Sequence, residues 1–193
     1  MKQKCVRIQS LESDIVASLA LYNHRKTIIS TGISFFDYML QQCFDYSGLK
    51  IKLCCLSNLL VDYHHTYEDV GIVIGKLLLS AVNEYKPFRY SSVYIPMYGS
   101  LVRCSLDFYG RSGFWYDNKF INKFCPSIDL VYTFFNSVAR SSNLSIHIDF
   151  LKVNSIYNAV EAAFKSFGIC CWLSFNMKNN INSSEKCVRE LWK

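Results

Sequence analysis

Charge is scarce in this chain, and so are proline and glycine. Only 19% of the 193 residues are charged while 51% are hydrophobic, a balance that excludes a disordered chain and leaves ample material for a core. No apolar run approaches the roughly 18 residues a membrane helix needs. The opening Met1-Lys2-Gln3-Lys4-Cys5 lacks the apolar core of a signal peptide and leads into strand-like sequence, so a cytoplasmic protein with no membrane partner is expected. Cysteine pairs of the CxxC type are missing. The 9 cysteines are an odd, scattered set, which speaks against a zinc ribbon or a disulfide framework. Cys54-Cys55 and Cys170-Cys171 sit in apolar runs, where a thiol acts as a small hydrophobe. The net charge of +6 is dispersed, without the basic stripe of a nucleic-acid binder, so no nucleic-acid partner is expected. With only 8 Gly and 3 Pro against 13 Tyr and 14 Phe, the composition also suits a gene drifting toward A and T, because Gly and Pro codons are rich in G and C.

What is present is order. Residues 13–22 alternate as a half-buried strand does, His24-Arg25-Lys26 reads as a turn, and 26–29 as a second strand. Helical spacing follows over 34–46, then a strand over 50–56 and a long helical pattern from Tyr67 to Tyr85, with Asp62 ahead as a cap and Pro87 beyond its end. The second half repeats the order: strands around 89–95, 101–108 and 113–117, a helix near 128–140, a strand at 144–151 and a helix at 156–170. The repeat holds at single residues. His64-His65-x-x-Glu68 and Tyr157-Asn158-x-x-Glu161 take the same place in their halves, each opening the last helix. The divisions expected are a first α+β repeat over 1–87, a second over 88–177 and a polar tail over 178–193, together one compact domain.

His64 and Glu68 stand four apart and share a face if helical, while His65 is rotated from His64 by about 100°. One segment can therefore feed two metal sites, or one metal site and one hydrogen bond. Imidazole with carboxylate suits Mn, Fe or Zn. The bland alternative is a polar helix start with solvated imidazoles. The Glu and Asp that follow, ahead of a long apolar helix, favour the metal.

Seven segments, in order, resemble the imidazoleglycerol-phosphate dehydratase family. Thr31-Gly32-Ile33-Ser34-Phe35-Phe36-Asp37-Tyr38-Met39-Leu40 is similar to T-G-I-x-F-F-D-H-M-L, and Asp62 to Ile72 to D-D-H-H-T-x-E-D-x-x-I. Arg89-Tyr90, Pro96-Met97, Asp107-Phe108-Tyr109-Gly110-Arg111, Ser145-Ile146-His147 and Glu161-Ala162-Ala163-Phe164-Lys165 resemble R-F, P-M, D-L-S-G-R, T-L-H and E-A-x-F-K. The resemblance implies an α+β fold of two duplicated halves, each like domain 2 of ribosomal protein S5: a four-stranded sheet plus two helices, with the four helices packed between the two sheets. It implies a hydro-lyase of histidine biosynthesis that dehydrates imidazoleglycerol phosphate to imidazoleacetol phosphate in the cytoplasm. It further implies a large homo-oligomer with sites between subunits, so that a protomer alone is inactive. Two Mn²⁺ per subunit would act as Lewis acids and templates.

The resemblance carries roles residue by residue. His64, His65, Glu68 and Glu161 match metal-binding and catalytic positions, and Glu12, in Glu12-Ser13-Asp14-Ile15, matches an acid/base or substrate contact. Arg89, Arg111 and Lys165 match phosphate-binding positions, and Ser184 and Lys186 loosely match a tail motif. Tyr38, Thr133, Tyr157 and Asn158 stand where the family has histidines, so four of eight ligands are replaced. On the family's pattern one metal faces His64, Glu68, Tyr38 and Asn158, and the other His65, Glu161, Thr133 and Tyr157. Each keeps one imidazole and one carboxylate. The expected affinity falls below that of an intact site, with selectivity shifted toward oxygen-loving ions, since a phenol must lose a proton near pH 10 to ligate well. Three of the four losses, His to Tyr twice and His to Asn once, need one base change away from C, in line with the A/T drift. Pro96-Met97-Tyr98-Gly99 also lacks the acidic pair that follows P-M in the family. Two readings follow: a dehydratase with weakened sites, or a catalytically silent relative that keeps fold, assembly and phosphate binding. A basic module related by fold to ribosomal proteins would need a clustered basic face.

Overall fold

The computed structural model describes residues 4–9, 13–21, 26–57, 63–117 and 126–177. The first half runs β1 (Lys4–Gln9), β2 (Ser13–Leu21), β3 (Ile28–Ser30), α1 (Ser34–Ser47), β4 (Leu49–Ser57) and α2 (Tyr63–Tyr85). The second runs β5 (Tyr90–Met97), β6 (Ser100–Asp107), β7 (Gly113–Asp117), α3 (Pro126–Ser142), β8 (Ser145–Lys152) and α4 (Ile156–Asn176). The strand orders are β1-β2-β4-β3 and β5-β6-β8-β7, with β3–β4 and β7–β8 parallel and the remaining pairs antiparallel. The duplication read from the sequence is thus a duplication of topology.

Alternation decides what each sheet buries. Ile15, Ala17, Leu19 and Leu21 on β2 and Leu49, Ile51, Leu53 and Cys55 on β4 turn inward, while Val16, Lys52 and Leu56 turn out. Cys54 follows that outward set and is exposed, so of this adjacent pair only Cys55 acts as a core residue. In the second sheet Val102, Cys104, Leu106, Ile146, Ile148 and Phe150 face inward. The four helices lie against these inner faces, and the partnering crosses between halves. The last helix of each half packs on the first helix of the other, α2 on α3 and α4 on α1.

Both crossings close on a glycine at the same place in the repeat. Gly75 is eleven residues beyond His64, and Gly168 is eleven beyond Tyr157. A Cβ at Gly75 would lie 2.6 Å from the Ser141 Cβ and 2.8 Å from the Val138 carbonyl oxygen, and one at Gly168 would overlap the Cys43 carbonyl. Between the crossings lies an aromatic core in which Phe36 stacks on Tyr67 at 3.8 Å and meets Phe134 edge-on at 5.3 Å.

Two helix bounds differ from the sequence reading. α2 begins at Tyr63 rather than Tyr67, because its first turn is polar and carries no apolar stripe. α4 continues past residue 170 to Asn176, through Cys170-Cys171-Trp172-Leu173, where nearly continuous apolar sequence hides the helical period. The Asp62 cap, the 24–25 part of the turn and the tail over 178–193 lie outside the described residues.

Candidate active site

The Thr31 to Leu40 segment builds one wall. Asp37, in the first turn of α1, accepts from the Thr31 backbone N–H at 2.8 Å and from its hydroxyl at 2.6 Å. Gly32, at φ 83°, lets the chain turn between them. This clamp fixes the start of α1 and thereby Tyr38, the next residue.

Tyr38 donates its hydroxyl to Glu161 Oε1 at 3.1 Å, and Lys165, one turn further along α4, places its ammonium 2.7 Å from the same oxygen. Glu161 is 3% exposed, so its charge is balanced from within the protein rather than by water. Tyr157 lies face to face with Tyr38, ring centroids 6.2 Å apart, and meets Phe35 edge-on at 5.8 Å. Reduced contact with solvent, and then the Glu161 carboxylate, push the Tyr38 hydroxyl up to about 12. A phenol so placed stays protonated and donates. Lys165 also lies over the Tyr46 ring at 5.4 Å and lines a cavity of about 490 Å³ with Tyr46, Pro96, Met97 and Tyr98. Tyr98 and Gly99, both at positive φ, form the tight turn between β5 and β6 where the family's acidic pair would stand.

The other repeat opens differently. His64 and His65 are exposed on the first turn of α2, their rings edge to face at 5.9 Å, with Glu68 half-buried one turn on. The turn is anchored below: Thr66 donates to the Ser57 hydroxyl at 3.0 Å, Ser13 donates to Asp69 at 2.6 Å, and Tyr67 enters the core.

The phosphate candidates do not converge within one chain. Arg89, just before β5, makes a two-pronged bond to Asp107 at 2.9 and 3.1 Å and lies over the Tyr90 and Tyr109 rings. Arg111 is exposed in the loop after β6, its carbonyl accepting from Ser145. Lys165 lines the cavity at the opposite end of β5. Thr133 spends its hydroxyl on the Asp129 carbonyl within α3 at 3.0 Å, and Asn158 is half-buried on α4. Glu12, Ser184 and Lys186 lie outside the described residues. The sequence reading missed the Tyr38–Glu161–Lys165 cluster as a unit. The i,i+4 spacing of Glu161 and Lys165 was the available signal for half of it.

The residues present fit a divalent metal unevenly. His64 and Glu68, i and i+4 on α2, bring an imidazole and a carboxylate to one helix face, a suitable pair of donors for an ion completed from elsewhere. Glu161 does not fit, because its carboxylate already holds an ammonium and a phenol. Among the described residues of one chain, no group of three or more His, Cys, Asp or Glu side chains is placed to hold a metal.

The fold and site define a duplicated α+β protein that opens the last helix of each half on chemistry-bearing residues. The family model for imidazoleglycerol-phosphate dehydratase matches residues 31–171. The imidazoleglycerol-phosphate dehydratase of Staphylococcus epidermidis is 37% identical over 182 residues, covering 92% of this chain and 94% of that protein. That of Campylobacter curvus is 35% identical over 176 residues, covering 88% and 89%. The crystal structure of imidazoleglycerol-phosphate dehydratase from Staphylococcus aureus superposes with a TM-score of 0.78 at 28% identity, covering 90% of this chain and 98% of that one. The Pyrococcus furiosus structure gives 0.78 at 26% identity, covering 93% and 98%. This chain belongs to the imidazoleglycerol-phosphate dehydratase family.

Proposed function

We propose that this chain is a hydro-lyase of histidine biosynthesis, converting imidazoleglycerol phosphate to imidazoleacetol phosphate. The observation that carries the reading is the His64-His65-x-x-Glu68 segment opening α2, on a chain matched to named dehydratases over about nine-tenths of its length. In the reaction the carbon attached to the imidazole ring loses its hydroxyl, the next carbon along loses its proton, water is released, and the enol left on that second carbon becomes the ketone. That hydroxyl leaves readily only if the ring, as its imidazolate, carries the negative charge that pushes it out.

His64 and Glu68 are the donors for Mn²⁺, which when bound supplies Lewis-acid stabilisation of that charge. His65, turned away from His64 around α2, contributes a hydrogen bond. Glu12 is the candidate for moving the proton. Lys165 stands at the cavity wall, and an ammonium has three donors, so pairing with Glu161 leaves capacity for a phosphate oxygen. Arg89, oriented by Asp107, and Arg111 are the guanidinium candidates for the same phosphate. Their separation from Lys165 along β5 fits a site completed by a second copy of the chain, and with it a homo-oligomer. No helix among the described residues is long and apolar enough to cross a membrane, in keeping with work on a small dissolved substrate in the cytoplasm.

The test is turnover by the purified full chain, assayed with imidazoleglycerol phosphate at saturating Mn²⁺. Imidazoleacetol phosphate is the expected product. Absence of any product under those conditions removes the enzyme reading and leaves the silent relative.

A further inference from the structure

We infer that Glu161 is not a metal ligand in this chain, and that the Lys165 ammonium serves in place of a second divalent cation, so that each subunit holds at most one such ion. The inference deepens the dehydratase reading and rests on it for the meaning of the site.

Three observations carry it. First, Glu161 Oε1 takes both the Lys165 ammonium at 2.7 Å and the Tyr38 hydroxyl at 3.1 Å. A metal ion there would have to displace a cation and a hydrogen-bond donor. Second, the local charge is already balanced: one buried carboxylate faces one largely buried ammonium, with side-chain exposures of 4% and 17%. Adding a doubly charged ion beside that ammonium sets two cations against each other where little water screens them. Third, apart from His65 the companion positions have lost their imidazoles and offer no substitute donors of the right kind. The Thr133 hydroxyl is bonded to the Asp129 carbonyl of its own helix, and Tyr157 is packed by its ring against Tyr38 and Phe35. With Thr133 and Tyr157 in the places of imidazoles, the Glu161 carboxylate is left to an ion pair with a phenol beside it. By contrast, His64 and Glu68 keep a helix face of metal-type donors.

The experiment is a count of ions on the full-length protein. It is loaded with Mn²⁺, freed of excess and measured as metal per subunit, with affinity followed by the electron paramagnetic resonance of free Mn²⁺. The unaltered protein is expected to hold no more than one ion per subunit. Glu161→Gln is expected to hold the same number with affinity changed by less than about twofold, whereas His64→Ala should lose at least about tenfold. Two ions per subunit in the unaltered protein overturn the inference, and that count stands even if the variant fails to fold. Loss of a bound ion in folded Glu161→Gln overturns it equally. A protein that holds one ion and turns nothing over sinks the dehydratase reading and leaves this inference in place. One that turns over with two ions sinks this inference alone.

Discussion

Replacing Gly168 by alanine tests the crossing of α1 and α4, and two opposing effects set the outcome. Alanine is better than glycine inside a helix by about 1 kcal/mol, so an uncrowded site would gain stability. At Gly168 the new methyl would overlap the Cys43 carbonyl oxygen and lie 3.1 Å from the carbonyl carbon and 3.3 Å from the Cα. These are backbone atoms of α1 and cannot rotate aside. The helices must move apart, loosening a seam that buries Met39, Leu40, Cys43, Phe164 and Phe167. Overpacking of this kind costs about 1–3 kcal/mol. With the clash against backbone, the upper end applies, and the helix gain offsets about a third of it. The net loss is about 2 kcal/mol, or about 4–8 °C in melting temperature for a chain of this length. Gly75→Ala, facing the Val138 carbonyl across α2 and α3, should behave alike. Thermal and urea unfolding of both variants measure this. If Gly168→Ala melts at or above the parent temperature, propensity outweighs the clash and the helices do not approach as closely as described.

Lys165→Met leaves the buried Glu161 carboxylate without its cation, and breaking such a pair costs about 3–5 kcal/mol. Urea midpoints should show the loss shrinking in Lys165→Met/Glu161→Gln, and a double variant no more stable than the single one would count against the pair. Because the Tyr38 hydroxyl is pushed up to about 12 from an unfolded value near 10, its contribution is whole below pH 10 and is lost as pH rises through 12. Beside Tyr67 and Tyr116, which burial also pushes up, an ultraviolet titration should find a late tyrosine that moves back toward 10 in Glu161→Gln; an unchanged titration would refute the contact. Asp37→Ala removes the one oxygen that accepts two hydrogen bonds from the buried Thr31 and should cost about 1–3 kcal/mol, while Asp37→Asn, which keeps an acceptor oxygen, should cost less by the same unfolding measurement.

The fold was legible because its information is periodic. The alternation in β2 and β4 and the helical stripe of α1 announce their elements, and the matched segments at His64 and Tyr157 announce the repeat. What escaped was non-periodic. The polar first turn of α2 gives no stripe, and the end of α4 is apolar on every side. Gly75 and Gly168 read as ordinary helix glycines, since their purpose lies in a partner helix more than sixty residues away for Gly75 and more than half the chain away for Gly168. The site was legible as a set of residue types but not as a set of partners. Nothing in the spacing of Tyr38 says that its hydroxyl meets Glu161, 123 residues on. The phosphate candidates likewise share a chemistry without sharing a place in one chain.

The crossed partnering of helices, α2 with α3 and α4 with α1, has a consequence for synthesis on the ribosome. When the first half has emerged, it has its own sheet and both helices, but the face of α1 that will meet α4 has no cover. Of the elements described that cover comes last, because α4 follows all of them in sequence. The nascent first half must therefore wait, with Met39, Leu40 and Cys43 unshielded, until α4 has been made. The duplication supplies two similar folding units that cannot finish separately, and the docking of α4 joins the first described helix to the last.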